Sequence, residues 1–179
     1  MRLFLNGWTD KDCGFYDVVL KLQEAGHKII YWTIFNEFKG IDISKFPDTV
    51  FHDSFEALEA KPAPGVDTSK FLPVSAELIK EFYETEIAVL TMMNKKYERF
   101  SIDERKHLYY SMLSYWLGVL KQYQPDAIIF QGIPHTVFDF ISYNVAKKLN
   151  IKTLFFKLTT LDDRFFLLAD YEIYPSALE

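Results

Sequence analysis

His135 and Asp139 are the two side chains whose types and spacing best suit proton transfer. An imidazole titrates near neutrality and can take a proton from a hydroxyl. A carboxylate four residues on, along the same helix face, could orient that ring. Both residues also fit plainer roles. His135 can simply line its loop or cap a backbone carbonyl, and Thr136-Val-Phe-Asp139 has the form of a helix capping box. Gln131 and Gly132, just upstream, are placed to touch whatever His135 touches. A second group, Asp10, Asp12 and Gly14, suits either a polar ligand or a solvated turn. A third is Thr159, Thr160 and Arg164. The guanidinium matches a phosphate or carboxylate of a ligand, or a neighbour such as Asp162 or Asp163. No metal site is expected: the four histidines are scattered without a tight pair, and Cys13 is the single cysteine. No Walker loop, G-x-G-x-x-G, H-E-x-x-H or G-x-S-x-G motif is present.

These residues need elements to hold them. Residues 127–130, Ala-Ile-Ile-Phe, form a wholly apolar run suited to a strand buried on both faces. Gly132 and Pro134 break it. Val137, Ile141, Val145 and Leu149 then recur at helical spacing, and Asn150 can close that helix in the left-handed region. Residues 153–156 read as the next strand. Two strands joined by one helix are parallel, with a right-handed crossover. Ligands in open parallel sheets sit outside the carboxyl ends of the strands, which places residues 131–136 and 157–160 at the crevice.

The start of the chain repeats the pattern. Residues 2–7 read as a strand and 8–14 as a polar loop. Residues 15–25 read as a helix closed by Gly26, and 29–33 as a second strand. Residues 49–52 suit a third strand, with Ser54 capping a short helix through Leu58. Residues 61–73 carry three prolines and a glycine and form an irregular connection. A long helix over 75–97 should place Ile79, Phe82, Ile87, Leu90 and Met93 on one face. Another over 101–123 opens with the capping box Ser101-Ile-Asp-Glu104 and carries Leu108, Met112, Tyr115, Trp116, Val119 and Leu120. This pair should pack on the sheet, although such faces can also meet a partner or membrane. The expected fold is α/β, a Rossmann-like three-layer α/β/α arrangement around a central parallel sheet, in a single domain over residues 1–177.

Composition narrows the function classes. A net charge of −5 with no Lys/Arg cluster argues against nucleic-acid binding. No basic segment precedes an apolar run at the start, so a cytoplasmic protein is expected. The uncharged stretch near 107–120 is too short to span a bilayer.

Three segments carry a resemblance. Leu22-Gln-Glu-Ala-Gly-His-Lys-Ile-Ile is similar to the first helix-to-strand turn of GT-B glycosyltransferases. Gln124-Pro-Asp-Ala-Ile-Ile-Phe and Leu149-Asn-Ile-Lys-Thr-Leu-Phe-Phe resemble later strand entries of the same N-terminal domains. The Pro134-His135 loop with Asp139 resembles bacterial capsule and surface-polysaccharide biosynthesis proteins. The chain departs from the pattern in having only Gly14 after the first strand, Asn150 in place of glycine and Lys152 in place of proline. The resemblance implies an N-terminal, acceptor-side domain. Its partners would be a carbohydrate acceptor and the C-terminal domain of the same protein, which would hold the nucleotide-sugar donor. No cofactor is expected in this domain itself. A peripheral position at the inner face of the membrane is compatible with that role. Leu178-Glu179 matches a common expression-tag scar, which fits a fragment of a longer protein. Two alternatives stay open: a non-catalytic α/β module binding a small ligand, and a complete small hydrolase or sugar-nucleotide isomerase.

Overall fold

The computed structural model describes residues 1–9, 14–35, 41–159 and 164–171. The strands are β1 (Arg2–Asn6), β2 (Lys28–Ile34), β3 (Val50–Asp53), β4 (Ala127–Phe130), β5 (Lys152–Leu158) and β6 (Phe165–Leu168). They form one sheet in the order β3-β2-β1-β4-β5-β6. Every neighbouring pair is parallel except β5 and β6. The helices are α1 (Phe15–Glu24), α2 (Ser54–Leu58), α3 (Ala76–Glu81), α4 (Tyr83–Met92), α5 (Ile102–Tyr123) and α6 (Val137–Lys148). The fold is a Rossmann-like α/β/α sandwich, as the alternating strand and helix signals require. None of the described helices is long and apolar enough to cross a membrane.

Alternation along β1 shows how the layers are made. Leu3 and Leu5 join Ile29, Trp32, Ile34 and Ile129 in one core, which α1 covers with Phe15 and Val19. Phe4 points the other way and joins Tyr31, Ile128, Phe130 and Phe155 in a second core, covered by α4, α5 and α6. All four residues of β4 are buried, as a strand covered on both faces must be. Asp126 registers β4 on β1: its carboxylate accepts from Arg2 N at 2.7 Å and its own N–H donates to Arg2 O at 2.8 Å.

Chain direction across the sheet decides where a site can form. From β1 the chain moves outward through β2 to β3. It then returns over α2–α5 and inserts β4 on the other side of β1, continuing to β5. The two crossovers that leave β1 and β4 therefore run in opposite directions. Their helices lie on opposite faces, and their loops part at the carboxyl ends of the strands.

Several expectations need correction. Residues 75–97 do not form one helix. Ser75 caps α3, but the backbone breaks at Phe82 and α4 starts afresh, followed by a 3-10 turn. Phe82 and Met93 are buried as expected, but Glu86 and Val89 share their inward face while Ile87 is 46% exposed. Glu86 meets Lys106 Nζ at 3.2 Å and accepts from Tyr110 Oη at 3.1 Å, which gives a buried carboxylate its partners. Asp53, not Ser54, caps α2, because its carboxylate accepts from Phe55 N at 2.6 Å and Glu56 N at 3.3 Å. β6 has no counterpart in the sequence reading. The chain reverses after β5, with Thr159 N donating to Arg164 O at 3.0 Å, and β6 pairs back antiparallel. By contrast α5 has the expected Ser101–Glu104 capping box, and Asn150 closes α6 at φ 54°.

Gly118 in α5 lies beneath the Phe71 ring. A methyl group there would stand 2.3–2.6 Å from three ring carbons. Gly118→Ala should therefore unseat Phe71 and lower stability by about 1–2 kcal/mol, despite alanine's better helix propensity. Urea unfolding midpoints measure this. A raised midpoint would mean that the ring does not depend on that contact.

Candidate functional site

The crevice between the ends of β1 and β4 holds a cavity of about 260 Å³. Asn6, Gly7 and Thr9 form one wall, and the loop from Gln131 to Thr136 forms the other. Phe35, Phe130 and Phe138 give it aromatic surface. A shallower hollow of about 330 Å³ lies on the β5 side of the same loop, against Phe156 and Lys157. His135 borders both.

Local hydrogen bonds hold the walls in place. Trp8 Nε1 donates to Ile129 O at 2.8 Å, and Trp32 Nε1 donates to Trp8 O at 3.1 Å. Gly7 N donates to Thr33 Oγ1 at 2.7 Å, with Gly7 in the left-handed region at φ 73°. Gln131 Oε1 accepts from Thr9 N at 2.9 Å, which ties the two walls together. The oxygen of Gln131 is thus engaged as a brace.

His135 is exposed at the rim. Its Nδ1 lies 2.9 Å from Ile133 O. A carbonyl can only accept, so Nδ1 carries a proton, and in the neutral ring Nε2 is the nitrogen with the lone pair. A general base at this position would work through Nε2. Asp139 does not orient the ring. Its carboxylate accepts from the backbone N–H groups of His135 at 3.2 Å, Thr136 at 2.8 Å and Phe140 at 2.7 Å. It is the capping residue of α6, the second of its two sequence readings. Thr136 Oγ1 lies toward Asp139 N as a capping box requires, but outside hydrogen-bonding geometry, and it is buried without a partner. Burial pushes the Asp139 carboxyl up to about 6, against the downward pull of those backbone donors. Asp139 therefore acts on His135 through the backbone, fixing the loop from which the ring projects.

The remaining predicted residues divide. Gly132 lies in the crevice loop, and a Cβ there would meet nothing within 4 Å. Gly14 is the N-cap of α1 in the left-handed region at φ 65°, a backbone role that favours glycine, and it does not line the crevice. Thr159 and Arg164 face each other across the β5–β6 reversal, outside the cavity lining, and Arg164 is exposed. Asp10, Asp12 and Thr160 lie outside the described residues. Among the described residues no cluster of histidine, cysteine and carboxylates could hold a metal ion.

Asn6 was missed by the sequence reading, because an asparagine ending a strand looks like punctuation; Thr136 was placed at the crevice with its loop and read as a cap. Two larger cavities, about 500 and 440 Å³, lie along α5 beneath residues 60–79. Three of their hydroxyls are already engaged: Ser111 donates to His107 O, Ser114 to Leu72 O and Tyr110 to Glu86. The first is also lined by His107, but the crevice, with His135 at a topological switch point of the sheet, is the better chemical site. No protein-family model matches this chain, and a search of curated proteins returns no significant match.

Proposed function

We propose that this chain is the acceptor-side domain of a GT-B glycosyltransferase that builds surface polysaccharide, with His135 as the base. The observation that carries this reading is His135, its Nδ1 held by Ile133 O and its Nε2 left for a ligand, at the rim of a crevice lined by amide and hydroxyl groups, the backbone-bound Asp139 carboxylate and aromatic rings. Uncharged polar groups beside aromatic faces suit a hydroxylated acceptor. In the proposed reaction the acceptor hydroxyl gives its proton to Nε2 as its oxygen attacks the donor sugar. The nucleoside diphosphate would leave on a second domain of the same protein. Asp139 and Gln131 keep the loop in register. The domain would work at the inner face of the membrane without crossing it.

The donor side of this reading is tested on the isolated chain. Among the described residues no lysine or arginine lines the crevice cavity, so none of them offers a diphosphate a cationic partner there. Calorimetry with a panel of nucleotide-sugars should show no tight binding, and residues 1–177 alone should transfer no sugar. Micromolar affinity for any of them, or robust transfer, would refute the two-domain reading and favour a complete small enzyme.

A further inference from the structure

Asn6 ends β1 on the face that turns toward α6, and it is 3% exposed. Its Nδ2 lies 3.0 Å from Ser142 Oγ. Ser142 Oγ in turn donates its one proton to Asp139 O at 2.9 Å. A hydroxyl that has given its proton to a carbonyl can only accept from its other neighbour. The Asn6 group facing Ser142 must therefore be the amide N–H, which settles which way the carboxamide points. Oδ1 faces away from Ser142. It has no hydrogen-bond partner among the described residues, and it is not among the buried polar atoms sealed from solvent. Asn6 lines the crevice. A side chain anchored at one end and open at the other presents a pre-oriented acceptor, which costs little entropy to engage.

We propose that Asn6 selects the crevice's ligand, its Oδ1 accepting a hydrogen bond from an uncharged hydroxyl. Ser142 is the positioning residue behind it. The surroundings favour a donor-bearing neutral ligand. In its neutral form His135 offers Nε2 as a second acceptor, and among the described residues no lysine or arginine lines the cavity, Lys157 bordering only the neighbouring hollow. An anion in the cavity would meet mainly lone pairs. The negative charge of Asp139 is already directed onto three backbone N–H groups, so little of it is left to recruit an ammonium. This assignment rests on the carbohydrate reading above, and it names the residue that would enforce it.

Nuclear magnetic resonance on the labelled chain tests it. The probes are glucose, N-acetylglucosamine, glucuronate, inorganic phosphate and methylammonium. The neutral sugars should shift the Asn6 side-chain amide together with the backbone signals of Gly132 and His135. Asn6→Leu should weaken their binding about three- to tenfold, the scale of one neutral hydrogen bond. Ser142→Ala keeps Asn6 but frees its amide to turn. It should weaken the same sugars by a smaller factor and move the Asn6 amide signal even without ligand. That variant decides the matter if Asn6→Leu does not fold. If the sugars bind and neither variant changes their affinity, the Asn6 assignment is overturned while the carbohydrate reading stands. If only glucuronate, phosphate or methylammonium perturbs the crevice, or if no probe does, both are overturned.

Discussion

His135→Ala should lower sugar transfer by about a hundredfold or more when the chain is assayed together with its donor-holding domain. The size follows from the ring's position. Nδ1 is committed to Ile133 O, so Nε2 is the one ring nitrogen available to a substrate proton. General-base catalysis is typically worth roughly 10²–10⁴ in rate, and alanine removes all of it. The fold should hardly notice. The ring is exposed, and the loop is held by Asp139 through the backbone N–H of residue 135, which alanine keeps. A change in melting temperature of more than about 2–4 °C would mean a loss above roughly 1 kcal/mol and would point to a structural histidine. Release of nucleoside diphosphate measures turnover. Near-normal rates in the variant would remove His135 from the chemistry.

The second large effect lies away from the crevice, at His52. This residue is fully enclosed, with Nε2 3.0 Å from Lys61 O and Nδ1 2.9 Å from Tyr31 Oη. Tyr31 Oη is 2.8 Å from Tyr115 Oη, which accepts from Ala63 N at 2.9 Å. The two ends of this chain have fixed roles. Ala63 N–H must donate and Lys61 C=O must accept. With a neutral imidazole the hydroxyls then run one way: Tyr115 donates to Tyr31, and Tyr31 donates to Nδ1. A second ring proton would oppose the Tyr31 hydroxyl and cannot reach water. Burial accordingly pulls His52 down to about 4.

The unfolded chain takes up that proton near its ordinary 6.5, well before the folded chain does. The stability contributed by neutral His52 is complete above about pH 6.5. It is lost as pH falls toward 4, by about 3 kcal/mol at 1.36 kcal/mol per pKa unit. Asp139 works in the opposite direction. Its folded-state value is raised to about 6, so the folded chain binds that proton first and gains stability on acidification below 6. Both groups act in the native protein, so its own pH curve mixes them. Comparing it with His52→Gln cancels Asp139. The difference in unfolding free energy between the two should shrink by about 3 kcal/mol from pH 7 to pH 4 in urea titrations. A difference that stays constant with pH would show that His52 is not held neutral in the fold.

What could be read from sequence alone follows from the range of the forces involved. The strands at residues 3, 30, 128 and 154 stand out because strands inside a covered sheet need apolar runs, and the edge strand at 51 shows a shorter one. The start of α5 stands out because Ser101 and Glu104 meet within one turn. The inward position of Glu86 on α4 was not legible, since it depends on Lys106 and Tyr110 of another helix. β6 was not read, although Phe165–Leu168 is an apolar run of the same length as β4, because its antiparallel pairing depends on the chain reversing after β5. The crevice loop was placed correctly, and Asp139 was read as both a cap and a ring partner; only the coordinates decide between them. Asn6 and His52 were invisible for the same reason. Their partners lie 136 residues away in one case and on three other segments in the other.

The switch point also sets the order in which this molecule can assemble. β1 lies mid-sheet, yet the partner on one of its sides is β4, and Arg2 and Asp126 are 124 residues apart. At roughly 5–20 residues per second, a ribosome leaves the open side of β1 unpaired for on the order of ten seconds. During that time β1, α1 and β2 can form their own unit, but half of the crevice does not yet exist. The crevice is therefore completed only after β4 and the loop that follows it have been made. An open, apolar inner strand is also the place where a nascent chain most needs shielding from others like it.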